Sequence, residues 1–199
     1  MSYPVVFDVV RPAPGARFDR AQVILRLVIL FVLGMVGISF PWVFVFLYFA
    51  LPAVVAVVVS TRGTDHFVGE TAPQIVRVVT WLTAFAAYLG LLTDRFPTGE
   101  HPSVRVEVPV RGAPTVQSAL WRLLSSLPEA FILAILSFIA GIAWLIACVC
   151  VLLTETYPSA VFDFQRGVLR WQVRLLAYHA SLVEEMPPYT FETGPESAP

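Results

Sequence analysis

The most suggestive chemistry in this chain is carried by three arginines at helical spacing. Arg166, Arg170 and Arg174 recur at every fourth position, with Trp171 and Tyr178 on the neighbouring side of the same segment. Residues four apart share a face of an α-helix, so the three guanidinium groups form one stripe. A stripe of that kind pairs with phosphate oxygens. Beside an aromatic face it suits the anionic headgroups of a bilayer, at on the order of 1 kcal/mol per arginine. The blander reading is the wet side of a helix lying in the membrane interface, and the spacing fits both. A fainter set, Arg77, Trp81 and Tyr88, lies upstream. Trp81 and Tyr88 precede Trp171 and Tyr178 by one constant offset, and Pro97 precedes Pro187 by the same one. These eight side chains, Arg166, Arg170, Arg174, Trp171 and Tyr178 with Arg77, Trp81 and Tyr88, are the candidate contacts for lipid headgroups or a partner.

Other reactive residue types are poorly placed for chemistry. His66, His101 and His179 are far apart and belong to no HxxxH or HxxE spacing, so no metal site is expected. Cys148 and Cys150 stand in an apolar run, where a CxC spacing turns helical side chains roughly 200° apart; they read as buried thiols. Ser125, Ser126 and Ser181 have no base at local spacing, and no GxGxxG, Walker or GxSxG pattern occurs. No catalytic residue and no cofactor is expected. Asp163 reads as a helix N-cap or a charge partner of Arg166 or Arg170, Glu129 as an interfacial carboxylate, and His179 as a capping or packing residue.

The elements that must hold these side chains are those of a membrane protein. Hydrophobic residues make up 57% and charged residues 14%, against about 25% charged in typical soluble domains; the mean hydropathy is +0.76. All 13 basic residues are arginine and the net charge is −1, which offers no concentrated basic surface for nucleic acid. The N-terminus lacks the short apolar core and small-residue site of a cleaved signal.

Two similar units follow one another. The first, 1–98, holds a strand at 4–11, a long apolar run read as a transmembrane hairpin over 22–60 turning at Phe40-Pro41-Trp42, a polar loop at 61–72, and an amphipathic helix at 73–93. The second, 99–191, holds a strand at 104–110, where four valines alternate with Arg105 and Glu107. A hairpin over 123–154 and an amphipathic helix at 165–184 follow. The length of 123–154 alone also allows one long tilted helix; the repeat argues for a hairpin turning near Ala140-Gly141. Residues 192–199 read as a disordered tail. Apolar enough to span, 73–93 nevertheless answers an arginine-bearing segment, and so reads as interfacial. The fold class is therefore a mainly α membrane protein of two tandem repeats and about four transmembrane helices, with a two-stranded cytoplasmic β element whose strands pair antiparallel. The arginines avoid both hairpin tips, which puts both termini in the cytoplasm by the positive-inside rule.

Arg122 in LWRLL, Glu155-Thr156-Tyr157-Pro158, Phe162-Asp163-Phe164, Gly167 to Trp171, Arg174, Ala177-Tyr178 and Pro187-Pro188-Tyr189 form one ordered set. Through them the chain, from about residue 104 to 191, resembles an uncharacterised, mainly actinobacterial membrane family of unknown function. The family pattern runs from a helical hairpin through a GRYP corner and an RW helix to a YPPF ending; here Glu155-Thr156 replaces Gly-Arg. The resemblance implies a membrane location and tandem copies, and no activity. The expected role is a non-enzymatic accessory or scaffold subunit in the plasma membrane. It would dock on a larger membrane complex or on its own copies, in contact with the bilayer and its anionic phospholipids. The alternative is a tandem-repeat carrier of lipid or small solute.

Overall fold

A computed structural model of the chain describes residues 3–11, 13, 16–98 and 104–190. The expected tail at 192–199 and His101 lie outside them.

The alternating valines do form strands, and the strands find each other. β1 (Val6–Val9) pairs antiparallel with β2 (Val104–Glu107), with Val6 opposite Glu107 and Val9 opposite Val104. Both are shorter than the expected 4–11 and 104–110. One face of β1 buries Phe7 and Val9 in the main core, while Arg105 and Glu107 of β2 stay outside and pair with each other. Two strands are marginal alone, and here the ribbon is supported: β1 packs on the last helix, α7 (Ser159–His179), and β2 on α4 (Ala72–Leu89).

Between the strands run the apolar segments. α1 (Arg20–Met35) starts with the Asp19 side chain accepting from Ala21 N–H. It ends at a turn in which Gly37 takes φ 77°, and α2 (Phe40–Arg62) follows. The expected turn at Phe40-Pro41-Trp42 is thus displaced: Pro41 stands in the first turn of α2, where a proline costs no hydrogen bond. The expected loop at 61–72 is also helical. A short α3 (Thr64–His66) and a π-helical turn (Phe67–Thr71) lead straight into α4. Phe67 and Ala72 are buried there against α2, an apolar anchor that keeps this polar stretch wound.

In the second half, the expected hairpin over 123–154 is not formed. α5 (Val116–Ser125) begins in a Thr115–Ser118 capping box and stops at Ser126; a single 28-residue helix, α6 (Leu127–Thr154), continues to the end of the run. The break falls at Ser126-Leu127-Pro128 because proline opens a helix readily but is poor inside one. Ala140-Gly141 contains no comparable breaker and is passed over.

α2 and α6 are long and apolar enough to cross a membrane. α1, with 16 residues, and α5, with 10, fall short of the roughly 20 that a full span needs. The protein is therefore mainly helical with a small antiparallel ribbon and two helices of spanning length. α1 lies on α6 and α5 on α2, so each half supports the long helix of the other.

α4 and α7 end alike. After α4, Gly90 N–H bonds Ala86 O, Leu92 N–H bonds Ala87 O, and Leu91 takes φ 62°. After α7, Ala180 bonds Leu176, Leu182 bonds Ala177, and Ser181 takes φ 54°. The left-handed residue lets the next N–H reach back to an orphan carbonyl of the last turn. Gly112 packs on the second of these turns so closely that a Cβ there would stand 2.1 Å from Ser181 O.

Candidate functional site

α7 starts at Ser159, six residues before the expected 165, and it does not lie with one side in water. Nearly every residue from Gly167 to His179 is buried. α6 runs antiparallel along one side, β1 covers another, and α4 packs on a third. The arginine stripe consequently faces protein. Arg170 is 2% exposed; its Nε donates to Phe7 O at 2.9 Å and its Nη2 to Asp8 Oδ1 at 3.2 Å. Arg166 is half-buried and shares Asp8 at 3.3 Å. Arg174, also 2% exposed, stands 5.5 Å from the Tyr3 ring and reaches Thr190 O at 3.5 Å. Burial, with Arg166 beside it, brings Arg170 down to about 10, still charged at neutral pH. A solvated stripe was the wrong picture because the free backbone of β1 and the Asp8 carboxylate supply the acceptors that water would. Asp163 is no N-cap either: it lies inside α7 and pairs with Arg11 and Arg166.

Of the other expected contacts, Trp171 and Tyr178 are buried, Tyr88 is buried, and Arg77 and Trp81 are exposed. The tyrosines take part in an arrangement that occurs at both helix ends. Arg26, fully buried on α1, stacks 4.4 Å over the Tyr88 ring and donates to Thr93 O at 2.6 Å and Asp94 at 3.0 Å. Arg122 on α5 stacks 4.5 Å over the Tyr178 ring and donates to Tyr178 O at 2.7 Å and Val183 O at 2.6 Å. Stacked and forked guanidinium groups of this kind clamp the chain as it leaves each helix.

Ser126 meets a base after all. Its Oγ lies 2.6 Å from His179 Nε2 and 2.8 Å from Tyr48 Oη, and His179 Nδ1 lies 2.9 Å from Tyr48 O. A backbone carbonyl only accepts, so Nδ1 carries the proton and Nε2 is left as an acceptor facing the Ser126 hydroxyl, which also stands 2.7 Å from Arg122 O. This has the geometry of a nucleophile and its base, but Ser126 and His179 are both 0% exposed. Their separation of 53 residues hid them from any local spacing rule. Glu129 is likewise buried and not interfacial: it accepts from Trp171 Nε1, while its Oε2 has no partner among the described residues.

Burial lowers His179 to about 4, and the charge of Arg122 adds to the effect against the hydrogen bond to Tyr48 O. That lies below the roughly 6.5 of an unfolded histidine, so the unfolded chain takes the proton first as pH falls. The contribution of His179 to stability is full above about pH 6.5 and is lost toward pH 4, about 3 kcal/mol in all. The thermal midpoint in detergent should fall across that interval, and His179→Gln should flatten the fall. Equal pH dependence in both proteins would contradict a buried neutral imidazole.

A cavity of about 630 Å³ opens between the α1–α2 arm and α6, floored by α4 and α7. Leu30, Phe44, Phe49, Leu89, Phe138 and Trp144 are among its walls. Trp144 Nε1 donates to Leu89 O at 2.9 Å. Polar groups come from Tyr48, Ser137, Gln165 and Gln172. Gln165 Nε2 donates to Ala140 O at 2.9 Å, and Gln172 Nε2 to Ser137 Oγ at 3.0 Å. Ser137 gives its own proton to Leu133 O, which fixes which end of the Gln172 amide faces it. Composition made the wall helices legible as apolar, but the space between them depends on packing.

Among the described residues, no group of three or more histidine, cysteine, aspartate or glutamate side chains could hold a metal ion. No curated protein and no solved structure matches the chain. Residues 116–190, which run from α5 through the Arg122 clamp, the Ser126–His179 pair, the Glu129–Trp171 bond and the α6–α7 wall of the cavity, match a family described as a domain of unknown function, DUF4389.

Proposed function

We propose that the protein is a multi-pass plasma-membrane protein made of two tandem copies of one unit, with both termini cytoplasmic. It serves as a non-enzymatic accessory or scaffold subunit on a larger membrane complex. The tandem reading draws support from the two helix ends: Arg26, Tyr88 and Leu91 play the parts of Arg122, Tyr178 and Ser181, with Thr93 O and Val183 O as matching acceptors. The membrane reading draws on α2 and α6, with the shorter α1 and α5 as partial arms. Phe18 N–H bonds Glu155 O and Thr64 bonds Pro114 O, which is what two arms opening on the same side would do.

One observation carries the docking role. The side chains able to do chemistry are sealed, Ser126 and His179 completely, whereas the outward faces of the long helices are apolar. Phe31, Phe46, Phe138 and Leu153 are exposed by 68% to 72%. Such a surface meets lipid chains or the flank of another membrane protein. A tagged chain taken from native membranes in mild detergent should migrate on native gels in an assembly with other polypeptides. Migration only alone or as a homomer would remove the docking role.

A second reading, lipid handling, is favoured by the cavity. Anionic headgroups would then meet the exposed Arg77 and the half-buried Arg166 and not Arg170 or Arg174, whose guanidinium groups are turned onto protein.

A further inference from the structure

The cavity between the α1–α2 arm and α6 is not indifferently greasy. Its polar side chains are few, Tyr48, Ser137, Gln165 and Gln172, and the hydrogen bonds of the two glutamines leave a specific remainder. Gln165 and Gln172 stand seven positions apart, two turns of α7, so both present to the same wall. Each spends an amide N–H, on Ala140 O and Ser137 Oγ respectively. Neither amide oxygen takes part in a hydrogen bond among the described residues, and both amides face the open cleft with a second N–H beside the oxygen. The cavity therefore offers spare acceptors and no charged side chain: no arginine, aspartate or glutamate lines it.

We propose that this cleft binds an uncharged membrane amphiphile, a lipid alcohol, whose chain lies along the apolar walls and whose hydroxyl donates to the amide oxygen of Gln172 or Gln165. The inference rests on the membrane and lipid-handling reading above and names its ligand. A fatty acid or anionic phospholipid is disfavoured, because its charge would enter an apolar cleft with no cation to pair with it. A plain hydrocarbon chain would fill the space but leave both amide oxygens without a donor, at about 1–3 kcal/mol for each such group kept from water. The volume, about 630 Å³, falls within the range of small-ligand sites. Lying between helices of spanning length, the cleft would fill from the bilayer itself.

The test uses the full chain in phosphatidylcholine nanodiscs and a hexadecanol carrying a photoactivatable diazirine. Label should fall on peptides of α6 and α7 around Ala134–Trp144 and Gln165–Gln172. Unlabelled octadecanol should compete about threefold to tenfold better than octadecanoic acid or octadecane, the worth of one hydrogen bond. Gly141→Leu plugs the site without forcing the fold, since a Cβ there meets no atom within 4 Å; it should remove this labelling. Gln165→Leu/Gln172→Leu should keep the labelling and lose the preference for the alcohol. Equal competition by octadecane would overturn the hydroxyl ligand while leaving an apolar lipid cleft. Labelling that survives Gly141→Leu would overturn the cleft as the site. Carbonate washing of native membranes separates both from failure of the membrane reading: a chain released by the wash is not integral.

Discussion

Replacing Arg122 by alanine is expected to cost about 2–5 kcal/mol of folding stability, from two buried carbonyls left without a donor and the loss of the stacked guanidinium. The guanidinium is 6% exposed and does three things at once. It stacks on Tyr178, donates to Tyr178 O as α7 ends, and donates to Val183 O beyond the turn. Without it, two carbonyls in a closed interior lose their donor, and each such loss is worth about 1–3 kcal/mol. Burial already lowers Arg122 below the usual arginine value. Lysine is a poor substitute: an ammonium neither forks to two carbonyls nor stacks flat on a ring. Arg122→Lys should therefore recover less than half of the loss. Denaturant unfolding in detergent measures both variants, and a loss below about 1 kcal/mol for Arg122→Ala would mean that the C-terminal turns hold without the clamp.

The second large effect is expected at Trp171. Among the described residues its indole N–H is the one hydrogen bond to the Glu129 carboxyl, and the other oxygen has no partner. Trp171→Phe keeps most of the ring volume but leaves a fully buried carboxyl with no donor, at about 2–4 kcal/mol. Glu129→Leu removes the polar group itself and should be tolerated better, because an apolar side chain in an apolar wall asks for no partner. In Trp171→Phe/Glu129→Leu the two changes should therefore cost less than their sum, with a coupling of about 1–3 kcal/mol. Strict additivity would mean that the two residues do not depend on one another. The cycle also separates this bond from the Arg122 clamp, which contacts neither residue in the hydrogen bonds described.

The parts of the fold that were legible are those set by short-range periodicity. Alternation at Val104 to Val110 announced a strand, and the matching strand at the N-terminus made an antiparallel pair the natural partner. The recurrence of Trp, Tyr and Pro at one offset picked out α4 and α7 and the turns that close them. What was not legible depends on who stands opposite. Helical spacing shows that Arg166, Arg170 and Arg174 share a face, but only the arrival of Phe7 O and Asp8, far away in sequence, decides that the face is dry. Hydropathy could not divide the second apolar run, because Ser126 and Pro128 leave scarcely a mark in a window of that length; their local chemistry places the corner. The Ser126–His179 and Glu129–Trp171 bonds join residues 53 and 42 positions apart. The cleft is a property of the space between elements, so no residue pattern announces it. Its spare amide oxygens become visible only once their N–H groups are accounted for.

The crossing of the two strands also imposes an order of events during synthesis. β1 leaves the ribosome before the elements that hold it: its ladder partner is about a hundred residues away, and the arginine that bonds Phe7 O comes 163 residues after it. The Arg26–Tyr88 clamp can close as soon as Thr93 has emerged; β1 cannot be retained until α7 exists. This strand is thus fastened after elements that follow it, and closing so long a loop is an entropic debt settled late. Until then Phe7 and Val9, the strand's core residues, have nothing to pack on, and the nascent first half carries an open β edge.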